Sequence, residues 1–97
     1  MLNSKQRAAL RAQANGLSAI FHLGKTGLTP AFVQGVREAL EARELIKIDI
    51  LQNCEMDVRE AGRIISERTG SHLVQVIGKK FVLYKRNDKK SNKERDV

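Results

Sequence analysis

Phe32, Val33, Val36, Ala39 and Leu40 recur at helical spacing, the signature of a helix with one apolar face. Thr29-Pro30 stands just ahead of them. Threonine suits an N-cap and proline the first helical position, so the pattern predicts a helix that ends near Arg43-Glu44. Ile46, Ile48 and Ile50 then alternate with Lys47 and Asp49, which predicts a half-buried strand. Beyond a polar loop around Asn53, Asp57 followed three residues later by Glu60 resembles a capping box with aspartate in place of serine. It opens a helix that turns Val58, Ala61, Ile64 and Ile65 inward and stops at Gly70. Residues 72–77 and 81–85 read as two strands around a tight turn at Gly78-Lys79-Lys80. At the other end of the chain, Ser4 is the expected cap of a helix running to about Asn15, with Gly16 as its stop. Leu10, Ala14 and Leu17 give that helix only a weak apolar stripe. The run Ala19-Ile20-Phe21-His22-Leu23 is bulky enough for a buried strand, and it ends at Gly24-Lys25-Thr26-Gly27.

The order is α-β-α-β-α-β-β. Helices between strands imply right-handed crossovers and parallel pairing where the strands share a sheet, while the last two strands form an antiparallel hairpin. The expected fold is therefore α/β, of the two-layer α+β type: a four-stranded mixed sheet with helices packed on it. The pattern leaves open which face the first helix covers. Residues 1–86 make one domain. Residues 87–97, NDKKSNKERDV, carry too little apolar surface to order themselves and are expected to be a charged, disordered tail.

Charge sharpens this picture. The 97 residues carry a net +7, a footprint for a polyanion. Residues 38–67 hold eight acids against four bases, whereas the two flanks hold 14 bases against three acids. A surface shaped only by solubility would mix its signs. Cys54 is the only cysteine, so no internal disulfide can form, which suits a reducing compartment. No apolar run approaches the ~20 residues of a membrane span. The first sixteen residues lack the apolar stretch of a signal peptide. A cytoplasmic protein with no membrane contact is the expectation.

Candidate chemistry concentrates at Gly24, Lys25, Thr26 and Gly27, between a strand and a helix N-terminus. Glycines let backbone come close to a ligand. The amides of the loop and first helical turn are free to donate, and the helix dipole favours an anion. Lys25 adds a full charge. Either glycine is expected to resist alanine because of backbone strain. A second basic site is expected at Lys79 and Lys80, continued by Lys85 and Arg86. Arg7 and Arg11 share a face of the first helix, and Lys47 stands on the polar side of its strand. His22 and His72 lack the companions of a metal site. Gly24-Lys25-Thr26 ends like a Walker A motif, but position 19 is alanine where that motif needs glycine. No nucleophile–base set or carboxylate pair stands out, so no catalysis, cofactor or small-molecule substrate is expected. Paired strand aromatics for base stacking are not evident, which favours a grip on RNA backbone and shape.

Three segments carry a resemblance: Leu23-Gly24-Lys25-Thr26-Gly27-Leu28-Thr29, then Ala39-Leu40-Glu41-Ala42-Arg43-Glu44-Leu45-Ile46-Lys47-Ile48, then Gln75-Val76-Ile77-Gly78-Lys79-Lys80-Phe81-Val82-Leu83-Tyr84-Lys85. In order and spacing the chain resembles the CRM domain (chloroplast RNA splicing and ribosome maturation) in its bacterial single-domain, YhbY-like form. The resemblance implies a fold like the C-terminal domain of translation initiation factor three. It also implies RNA binding, association with ribosomal RNA in precursors of the large (50S) subunit, and a role in ribosome assembly. The family's GxxG loop maps onto Gly24 to Gly27 and its lysine after Leu-Ile onto Lys47. The basic residue after the final Leu-Tyr is commonly arginine and is Lys85 here; lysine keeps the charge and loses the planar fork. An Alba-like architectural nucleic-acid binder has a similar element order and is the alternative. A monomer is the default expectation.

Overall fold

The centre of the fold is a four-stranded sheet, in a computed structural model that describes residues 2–86. The expected tail, 87–97, lies outside the described residues. The elements are α1 (Ser4–Ala14), β1 (Phe21–Leu23), α2 (Pro30–Arg43), β2 (Leu45–Ile50), α3 (Val58–Thr69), β3 (His72–Ile77) and β4 (Lys80–Tyr84). Strand order is β1-β2-β4-β3, with β1 parallel to β2 and β4 antiparallel to both β2 and β3. This is the mixed sheet and element order that the pattern implied.

Side-chain alternation sorts the sheet into two faces. Ile46, Ile48 and Ile50 of β2 join Leu23, Phe81 and Leu83 in a core with Val36 and Leu40 of α2 and Ala61 and Ile65 of α3. The fit of α3 on the sheet is close: a Cβ at Gly62 would stand 2.9 Å from Leu73 Cδ1. The opposite face is covered only in part. There α1 sets Ala14 against Val74 and Val82, with Leu2, Leu10, Leu45 and Tyr84 around them. So α1 takes the face that α2 and α3 leave, which the weak stripe on its sequence did not disclose.

Local chemistry explains most element ends. Thr29 caps α2 through its hydroxyl, which accepts from the Phe32 amide. Gly70 ends α3 in the left-handed region at φ 68°. Asp57 caps α3 by accepting from the Arg59 and Glu60 amides; the capping is by aspartate alone, with no described return bond from Glu60. Four boundaries differ from the sequence reading. The cap of α1 is Asn3, not Ser4: Asn3 Oδ1 accepts from the Gln6 amide at 2.7 Å while Gln6 Oε1 accepts from the Asn3 amide at 3.0 Å. The helix stops at Ala14, short of Gly16, which is not left-handed. Ala19 and Ile20 precede β1 rather than belong to it, although the Ile20 amide already donates to the Lys47 carbonyl. Finally, Lys80 is the first residue of β4, paired with both Asp49 and Ile77. The hairpin turn is only Gly78-Lys79, with Gly78 at φ 56° as in a type II′ turn.

Candidate nucleic-acid interface

Topology brings one end of the sheet together. β1 and β2 are parallel, so both finish at the same end, and the β3–β4 hairpin turns there too. The Leu51 amide donates to the Leu23 carbonyl at 2.9 Å and the Ile50 amide donates to the Lys79 carbonyl at 2.8 Å. The 24–27 loop and the 78–79 turn therefore flank the end of β2, about two strand spacings, or ~10 Å, apart. Ends of parallel strands that lead into helix N-termini are where open sheets of this kind take ligands.

The 24–27 loop is a β-turn closed by the Gly27 amide on the Gly24 carbonyl at 3.1 Å. Lys25 and Thr26 occupy its exposed tip. Among the described residues, no acceptor faces the amides of Lys25, Thr26 or Leu28. Directly behind them is the N-terminus of α2, with its positive dipole end. Donors, dipole and a lysine thus converge on one exposed turn, the arrangement that holds a phosphate. The two glycines serve it differently. Gly27 sits at φ 69° and needs glycine for its backbone. Gly24 is not left-handed, and a Cβ there would meet Asn53 and Leu51 at an ordinary 3.5 Å. The expected strain at Gly24 is therefore absent.

The remaining candidate cations divide into two groups. Lys79 is exposed in the hairpin turn and Lys80 on the first position of β4. Lys47 lies on the same sheet face as Lys80, the face that α1 only partly covers. With the 24–27 loop these place four lysines, Lys25, Lys47, Lys79 and Lys80, at one sheet end and on the open face beside it. Lys47 also shares a hollow of about 150 Å³ with Leu17, Ile20 and Arg43. Arg43 was not among the sequence candidates; its place in the last turn of α2, just before β2, is the signal that pointed to it.

Lys85 and Arg86 do not continue the Lys79–Lys80 site. They follow β4 at the opposite end of the sheet, about 16–20 Å away at the rise of a strand. Lys85 Nζ donates to the Thr69 carbonyl at 3.0 Å and so closes the C-terminus of α3. Arg7 is also engaged within the fold. It is half-buried, and its Nη1 donates to the Leu73 carbonyl at 2.8 Å and the Val74 carbonyl at 3.4 Å. Those carbonyls lie at the bulge of edge strand β3. Arg11, one turn along α1, is half-buried as well. Among the described residues no group of three or more His, Cys, Asp or Glu side chains gathers as a metal site would require.

Comparison with known proteins bears on the fold and the family. The family model of the CRS1 / YhbY (CRM) domain matches residues 2–85. The chain is 45% identical over 94 residues to "Probable RNA-binding protein YqeI" of Bacillus subtilis (strain 168), covering 97% of this chain and 96% of that one. It is 31% identical over 84 residues to an "RNA-binding protein" of Haemophilus influenzae, covering 87% of this chain and 85% of the relative. Among solved structures it is similar to the solution structure of "the hypothetical protein SAV1595 from Staphylococcus aureus, a putative RNA binding protein". That likeness has a TM-score of 0.75 at 42% identity, over 89% of this chain and 90% of the other.

Proposed function

The chain belongs to the CRS1/YhbY (CRM) domain family, and on that premise we propose that it binds structured RNA through the sheet end that carries Gly24–Gly27, Lys79 and Lys80. One observation carries the reading: the unpaired amides of Lys25, Thr26 and Leu28 stand at the N-terminus of α2 beside lysines from two other segments. A phosphate backbone offers such a site what it lacks. RNA-binding relatives of similar length support RNA as the polyanion. The finer reading is ribosomal RNA in large-subunit precursors, where the protein assists assembly in the cytoplasm as a monomer, without catalysis. A small basic domain that grips backbone and shape suits a large folded RNA.

The test is sedimentation of cell extract at moderately high salt, with the wild type and Lys25→Ala side by side. The wild type should travel with large-subunit precursors and the variant should leave them. An equal spread of both proteins over all RNA-containing fractions would reduce the function to generic polyanion binding.

A further inference from the structure

Asp49 is the only acidic residue on any of the four strands, and it lies in the middle of the basic face. Register places one row across that face: His22 of β1, Asp49 of β2, Lys80 of β4 and Ile77 of β3. The row borders the hairpin turn and lies next to the 24–27 loop. α1, docked around Leu45, Val82 and Tyr84, leaves it open. Asp49 stands directly opposite Lys80, close enough for an ion pair, yet no ion pair between them is described. Its described partner is His22, whose Nδ1 is 3.3 Å from Asp49 Oδ2. The His22 side chain is 55% exposed and that of Asp49 24%. A carboxylate repels phosphate, so on a surface that only grips RNA backbone Asp49 works against binding.

Resting on the RNA-binding reading, we propose that this row is a base-recognition site that takes an unpaired guanine. The carboxylate is an acceptor-only group with two oxygens side by side. Guanine is the one base whose Watson–Crick edge presents two adjacent donors, N1–H and N2–H. Uracil flanks its single N–H with two acceptors, and adenine and cytosine each set an acceptor beside their amino group, so all three bring a lone pair against the carboxylate. The His22 imidazole supplies a face for the base to stack on, as aromatic side chains do for splayed-out RNA bases. Lys80 and Lys47, on the same face, hold the flanking phosphates. The exposed Ile77, 52% open to solvent, closes the row with an apolar surface for a base or sugar.

The experiment uses hairpin RNAs with one common stem and a six-uridine loop, in which three uridines are replaced by guanosine, adenosine or cytidine. The wild type should bind the guanosine loop at least about fivefold more tightly than the others, the low end of what a two-bond side-chain contact to a base discriminates. Inosine, which lacks N2–H, should lose most of that preference with the protein unchanged. Asp49→Asn should abolish the preference while binding the uridine loop as well as before or better, and His22→Ala should weaken every loop about fivefold. Lys25→Ala should weaken all loops alike and keep the preference. Equal, salt-sensitive binding to all loops, with Asp49→Asn strengthening each to the same degree, overturns the base site and leaves RNA binding standing. No salt-sensitive binding to any hairpin overturns both.

Discussion

Gly24 and Gly27 bracket the same turn and answer to different constraints. Gly27→Ala puts a side chain into the left-handed region at φ 69°, which costs about 1–2 kcal/mol of stability. Gly24→Ala has no such cost, since its backbone is not left-handed and the added methyl makes only ordinary contacts. Thermal unfolding should therefore show Gly24→Ala at or slightly above the wild type, because alanine also narrows the unfolded ensemble. Its RNA affinity should still fall if backbone meets backbone at this turn. Full affinity in a stable Gly24→Ala protein would mean that the RNA does not come close at position 24. Lys25→Ala isolates the charge at the tip: folding should be untouched and affinity lower by about 1–3 kcal/mol, the scale of one charge-assisted hydrogen bond. The sequence showed a Gly-x-x-Gly loop before a helix but could not show which glycine was conformational, because φ is a property of the folded turn.

At the scale of elements, α1 hangs on few contacts, and Arg7 is the most specific of them. The bulge between Leu73 and Gln75 disturbs the β3–β4 ladder, and Arg7 donates to the carbonyls there. Arg7→Ala should cost about 1–2 kcal/mol, less than a fully buried charged hydrogen bond because the residue is only half-buried. Hydrogen exchange should speed up in α1 first. An α1 that exchanges at the wild-type rate in Arg7→Ala would show that the apolar contacts around Ala14 hold the helix alone. Lys85→Ala should cost less, about 0.5–1 kcal/mol, through the C-terminus of α3. The elements themselves were legible because their punctuation is local: Thr29-Pro30, the Ile46–Ile48–Ile50 alternation, Gly70 and Gly78 each act within a few residues. What stayed illegible was long-range. Arg7 meets Leu73 across 66 positions and Lys85 meets Thr69 across 16, and nothing in the neighbourhood of either cation marks it as an anchor. Asn3 as the true cap of α1 was legible, since Asn3-x-x-Gln6 fits a capping box.

For the whole molecule, these anchors divide a net charge of +7 into cations that meet the outside and cations that hold the fold. By sequence alone the basic residues form two flanks around an acidic centre. In the structure four of the eight acids of that centre ride on α2 and α3 and two more, Glu44 and Asp57, cap them, beside Arg37, Arg43, Arg59, Arg63 and Arg68. The open sheet end and face keep Lys25, Lys47, Lys79 and Lys80 with Asp49 among them. Salt dependence can test this division. Each lysine that neutralises an RNA phosphate releases counterions, so log affinity falls linearly with log salt, by a slope of about 0.7–0.9 per contact. Substituting Lys25, Lys47, Lys79 or Lys80 by alanine should each reduce that slope by about one unit. Arg7→Ala and Lys85→Ala should leave the slope where it is, even if they lower the melting temperature, because their charges are committed to backbone carbonyls toward the other end of the sheet. Titrations from low to moderate salt on one hairpin RNA give all six slopes. If Lys85→Ala flattens the slope as much as Lys79→Ala does, the RNA wraps the whole sheet from end to end, and the interface is not confined to the end where the glycine loop and the hairpin meet.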